Sequence, residues 1–146
     1  MTTILDSGVK LVRNVGRYNI GPGSLGGLTD LLIGVRQEAI RNQEGSQVVF
    51  LVDQYFRSEP ALSARLGCDS NDVLEFISTI NEPKTEDVDR LVSGLLERGL
   101  KKPAAIVGMG GGITMDFAKA ISNLLTNGGN ASFGVINEHI ASSGKV

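Results

Sequence analysis

The chain has 146 residues, 41% hydrophobic and 21% charged, with a formal net charge of −2. That is one domain's worth of chain with the apolar content of a globular fold, and its slight acidic excess argues against a nucleic-acid or anionic-membrane partner. The N-terminus lacks the basic segment and apolar core of a signal peptide, no run reaches transmembrane length, and Cys68, the single cysteine, cannot form an internal disulfide, so a reducing cytoplasm is the expected compartment.

Residues 9–20 carry Val9, Leu11, Val12, Val15, Tyr18 and Ile20, an extended pattern interrupted at Gly16. Gly21-Pro22-Gly23-Ser24 is a turn signal. A helix is expected over roughly residues 25–42, with Leu28, Leu31, Leu32, Val35 and Ala39 on its apolar face, Arg36, Glu38 and Arg41 among its polar positions, and Gly45 after it. The run Val48-Val49-Phe50-Leu51-Val52 reads as a central parallel strand covered on both faces. Asp53 ends it. In an open α/β sheet, ligands bind outside the carboxyl ends of the strands, where a carboxylate can accept both hydroxyls of an adenosine ribose. Asp53 is equally a residue type that caps a turn, and the residues alone leave both readings open.

Residues 54–71 are polar, with one short helix expected around Pro60, Ala61, Leu62 and Leu66. Cys68 reads as an incidental thiol, because no base can be assigned to it. Residues 73–77 suggest a strand. Pro83 blocks a helix and Thr85, Glu86 and Asp87 start one, with Val88, Leu91, Val92, Leu95 and Leu96 as its buried face and Gly99 as its end.

Residues 104–119 organise the rest. Ala104 to Val107 is a short apolar run with the pattern of a strand covered on both faces. Residues 108–112 hold four glycines in five positions, a backbone that can turn tightly and lie against a ligand. A helix follows with Thr114 as its expected N-cap and Asp116 in its first turn. Phe117, Ala118, Ile121, Leu124 and Leu125 fall at helical spacing, and Asn127-Gly128-Gly129 stops it. A glycine turn feeding a helix N-terminus directs unpaired N–H groups and a positive dipole end at one point, which suits a phosphate. Neither standard phosphate fingerprint applies: Ile113 stands where G-x-G-x-x-G needs glycine, and the Gly-Lys-Ser/Thr end of a P-loop is absent. The alternative is a tight strand-to-helix turn without a ligand.

The segment Val107-Gly108-Met109-Gly110-Gly111-Gly112-x-Thr114-Met115-Asp116-x-Ala118-Lys119-Ala120 resembles the G-G-G-S-x-x-D-x-A-K segment of metal-dependent, iron-containing alcohol dehydrogenases, the superfamily that includes dehydroquinate synthase and glycerol dehydrogenase. Its wording is most similar to the 3-deoxy-octulosonate 8-oxidase branch, which oxidises a sugar-acid terminal alcohol. One departure is that the family's serine is Ile113. The turn at residues 21–25 and Pro83-x-Thr85 add further points of likeness, and the resemblance covers most of residues 10–129. It implies a Rossmann-like α/β fold with a mostly parallel sheet flanked by helices, the N-terminal domain of the dehydroquinate synthase-like fold. Alternating strand and helix signals independently suggest this class.

The resemblance also implies cofactor-binding roles for Asp53, Gly110, Gly111, Gly112, Thr114 and Asp116. Asp53 would take the adenosine ribose, and the glycines with Thr114 the pyrophosphate. Asp116 would either contact the nicotinamide end or cap the helix, while Lys119 reads as a structural or surface charge. The acid precedes the glycines, whereas in a standard dinucleotide fold it follows them by about 20 residues; this order suits the family. NAD is expected in preference to NADP. The nucleotide-binding domain is expected over residues 1–129, followed by a weakly patterned tail at 130–146. His139, the sole histidine, has no companion ligands, so no metal site is assigned. The family's helical metal-binding domain is expected to be absent, so iron or zinc would bind only if such a domain were supplied. The expected partners are a dinucleotide and either a second copy of the chain or a separately encoded C-terminal domain. The chain thus reads as the NAD(P)-binding part of a metal-dependent alcohol dehydrogenase; the alternative is a non-catalytic nucleotide-binding or structural fragment.

Overall fold

The structure, a computed structural model, describes residues 19–127. The expectations for residues 9–18, for the stop at Gly128-Gly129, for the tail and for His139 lie outside the described residues. The elements run α1 (Gly27–Arg41), β1 (Val48–Asp53), α2 (Leu62–Leu66), β2 (Val73–Ile77), α3 (Thr85–Glu97), β3 (Ala105–Met109) and α4 (Gly112–Asn127), with short 3-10 turns at Ser24–Gly26 and Gln54–Ser58. The three strands form one parallel sheet in the order β2-β1-β3. This is the α/β arrangement expected of a Rossmann-like domain.

β1 is central because its five leading residues have no polar side chain to keep in water. Val48 to Val52 are all 0% exposed. Val49 and Leu51 point to one face, packed under α3 and α4 through Val92, Leu95, Phe117 and Ile121. Val48, Phe50 and Val52 point to the other face, under α1 and α2 through Leu32, Leu62 and Leu66. Each such side chain contributes about 1.5–3 kcal/mol on burial, so this strand anchors both layers.

α3 begins where Pro83 ends the preceding extended segment, and the Lys84 backbone N–H donates to Asp87 Oδ2 at 3.4 Å. Four expectations need correction, the first being Leu96, expected on the buried face of α3 but 42% exposed. β3 starts at Ala105 and is half-buried throughout, because among the described residues it pairs on one side only, with β1. Leu31 is 44% exposed: it borders an open cleft of about 660 Å³ beside Val107 and Met109 instead of joining the core. Arg36, placed among the polar positions of α1, has a side chain only 15% exposed.

The reason is Asp72, whose side chain is 0% exposed and sits just before β2. Arg36 clasps it with Nη1 on Oδ1 at 2.8 Å and Nη2 on Oδ2 at 2.5 Å, and also donates to the Ser46 carbonyl. The N–H groups of Val48 and Asp69 donate to the same carboxylate. One buried carboxylate therefore ties α1, the start of β1 and the approach to β2 together at the amino end of the sheet.

Candidate functional site

The carboxyl end of the sheet is where the topology opens. β1 leaves toward α2 on one face, and neighbouring β3 leaves toward α4 on the other. Adjacent strands whose connections depart to opposite faces leave a crevice at their carboxyl ends. Asp53 ends β1 on one side of it, and the residues after Met109 form the other side.

Gly110 joins the two sides. A Cβ there would lie 2.9 Å from Asp53 Cβ and 2.7 Å from Thr114 Oγ1, and Gly110 has a φ of 156°. Asp53 and Thr114 thus both crowd the place that a Gly110 side chain would take, a spacing that only a residue without a side chain allows. By contrast, Cβ atoms at Gly111 and Gly112 would meet nothing within 4 Å. These two positions line open space, suited to a ligand that must come against the backbone.

α4 starts at Gly112, ahead of the expected N-cap Thr114. Its first helical bond runs from Met115 N–H to the Gly111 carbonyl at 3.0 Å, which leaves the N–H groups of Gly112, Ile113 and Thr114 without acceptors inside the helix. Thr114 is therefore not the N-cap: it lies within the first turn and is 0% exposed, and its Oγ1 has no hydrogen-bond partner among the described residues. Leaving a buried hydroxyl unpaired costs about 1–3 kcal/mol. Asp116 also differs from expectation. It lies beyond the first turn, its side chain is 72% exposed, and its Oδ1 accepts from Lys119 at 3.4 Å. Lys119 is accordingly a surface charge, as read from the sequence.

Asp53 does cap the following turn, as one of its two readings holds: its Oδ1 accepts from Tyr55 N–H at 2.9 Å. The same oxygen accepts from Thr79 Oγ1 at 3.3 Å. Both bonds use Oδ1, which leaves Oδ2 as the remaining acceptor of this carboxylate.

Sequence reasoning missed two groups here. Ile113 attracted notice only for its side chain, yet its backbone N–H belongs to the helix N-terminus. Thr79 carried no local signal, because its partner is 26 residues away. Cys68 lies outside the crevice, near Arg36 and Asp72; burial, with Asp72 adding to it, pushes its thiol up.

The assembled crevice offers several N–H donors at a positive helix end, near a carboxylate acceptor. It suits a ligand carrying an anion and hydroxyl donors together. A family model described as iron-containing alcohol dehydrogenase matches residues 18–145. The chain belongs to the iron-containing alcohol dehydrogenase family. The match continues past residue 129, where the motif resemblance ends, and takes in the whole crevice. Iron does not fit the described residues, because no three His, Cys, Asp or Glu side chains come together among them to hold a metal ion. A dinucleotide does fit: its phosphates match the donors at α4 and the open space at Gly111 and Gly112. No helix among the described residues is long and apolar enough to cross a membrane.

Proposed function

We propose that residues 19–127 form the dinucleotide-binding domain of an alcohol dehydrogenase that passes hydride between an alcohol and NAD. The observation that carries this reading is the start of α4: Cβ positions at Gly111 and Gly112 meet no protein atom within 4 Å, and the N–H groups of Gly112, Ile113 and Thr114 have no acceptor inside the helix. A phosphate brought against that backbone would accept from the N–H groups of Gly112, Ile113 and Thr114 at the positive end of the helix. Asp53 Oδ2 would accept from the adenosine ribose. The bound nicotinamide supplies the hydride acceptor, and the role of this chain's residues is to bind and orient it. On this reading the catalytic metal belongs to a helical domain not among the described residues, and a sugar-acid terminal alcohol is the substrate class suggested by the motif wording.

The test is calorimetry with NAD on the wild type and on Gly111→Val. A valine side chain at residue 111 meets no protein atom within 4 Å of its Cβ, so the melting temperature is expected to stay close to that of the wild type. The same side chain would occupy the phosphate position, and NAD affinity is expected to fall at least about 100-fold, the loss expected when an anion is displaced from charge-assisted donors. Unchanged affinity would remove the glycine turn from the binding site.

Asp53 is expected to set the cofactor preference. Its carboxylate accepts from a free 2′-hydroxyl and repels a 2′-phosphate. Asp53→Asn keeps an oxygen to cap Tyr55 but loses the charge, so the NAD-over-NADP preference is expected to fall about tenfold. Equal wild-type affinities for the two cofactors would take Asp53 out of the ribose site.

A further inference from the structure

We propose that Thr79 is a positioning residue that sets the cofactor preference of this domain by fixing the plane of the Asp53 carboxylate. The proposal rests on the ribose reading of Asp53 and adds a residue to it.

Thr79 lies two residues beyond the end of β2, and the parallel register places Ile77, the last residue of β2, opposite Asp53. The chain leaving β2 therefore passes beside the carboxylate. Thr79 Oγ1 donates to Asp53 Oδ1 at 3.3 Å, and Tyr55 N–H donates to the same oxygen at 2.9 Å. The two donors come from different segments: Tyr55 from the chain continuing out of β1, Thr79 from the chain leaving β2.

The Asp53 carboxylate is planar and turns about Cβ–Cγ, so whatever holds Oδ1 also aims Oδ2. One donor leaves that rotation loosely restrained, and a second donor to the same oxygen narrows it. Both donors fall on Oδ1, so the ligand meets Oδ2. An aimed Oδ2 accepts from a 2′-hydroxyl and repels a 2′-phosphate, whereas a swinging carboxylate does each less well. Removing the Thr79 hydroxyl should thus weaken NAD while relieving NADP. General damage to the fold would instead weaken both together.

The experiment measures NAD and NADP affinities of the 146-residue chain by calorimetry for the wild type, Thr79→Val, Thr79→Ala, Thr79→Ser and Asp53→Asn, with melting temperatures alongside. Valine matches threonine in shape without the donor, alanine removes the donor with less bulk, and serine restores it. We expect Thr79→Val and Thr79→Ala each to lower NAD affinity about fivefold, the scale of one hydrogen bond to a charged group acting at second hand, and to narrow the NAD-to-NADP ratio. Thr79→Ser should return the ratio close to wild type. If the valine and alanine variants leave the ratio unchanged while Asp53→Asn collapses it, the Thr79 proposal is overturned and the ribose reading stands. If Asp53→Asn also leaves it unchanged, the ribose reading fails and the Thr79 proposal fails with it.

Discussion

Asp72→Ala is expected to lower the stability of the domain by about 3–5 kcal/mol, the cost of breaking a buried ion pair from one side. Arg36 would be left 15% exposed with its principal partner gone, and the Val48 and Asp69 N–H groups would lose their acceptor. Domains of this size are typically stable by only about 5–15 kcal/mol, so the variant should melt far below the wild type or fail to accumulate as folded protein. Replacing Arg36 together with Asp72 by apolar residues of similar volume should cost less than Asp72→Ala alone, because no uncompensated charge remains. A double variant no better than Asp72→Ala would show that the N–H groups, not the guanidinium, are the partners that matter.

The same carboxylate predicts a pH dependence. Burial alone pushes Asp72 up, but the hydrogen bonds from Arg36, Val48 and Asp69, with the Arg36 charge, outweigh it and hold the carboxyl below its usual range. A folded-state pKa below the unfolded value, about 3.9 for Asp, means that the stabilisation is complete above that value and is lost as pH falls through the folded pKa. Stability measured by denaturant titration should therefore fall on the acid side of about pH 4. Asp72→Asn should flatten that fall while lowering stability at neutral pH. An acid limb of the same steepness in both proteins would assign the loss to other carboxylates.

Gly110→Val should damage both fold and site. The added Cβ would stand 2.7 Å from Thr114 Oγ1 and 2.9 Å from Asp53 Cβ, so β1 and the start of α4 would have to separate. Overpacking of this kind typically costs about 1–3 kcal/mol. It would also move Asp53 away from the helix N-terminus, and NAD binding should become undetectable. The contrast with Gly111→Val is the informative part: one residue apart, the first should lower the melting temperature and the second should not. If Gly110→Val melts and binds like the wild type, the two sides of the crevice are not held together through residue 110.

The sequence alone determined the elements that depend on local chemistry. The unbroken apolar run at residues 48–52 has no polar face, so it could only be a strand buried on both sides, and it is. Val73 to Ile77, and the helix beginning at Thr85 after Pro83, follow from β-branched content and from the missing proline N–H. The glycine run also showed itself as a backbone built for a turn and for close approach, and its wording placed the chain in its family.

Tertiary structure decided whatever depends on distance across the fold. That Gly110 is hemmed in while Gly111 and Gly112 face open space depends on Asp53 and Thr114, and nothing local separates three consecutive glycines. Thr114 was legible as a threonine near a helix start, but its burial depends on how α4 lies on the sheet. Arg36 looked like any polar residue on a helix until Asp72, 36 positions later, proved to be its buried partner. Thr79 meets Asp53 only because β2 and β1 pair in parallel with Ile77 opposite Asp53. Short-range rules of turn, cap and periodicity act over a few residues, whereas strand register and packing choose which distant side chains share an atom.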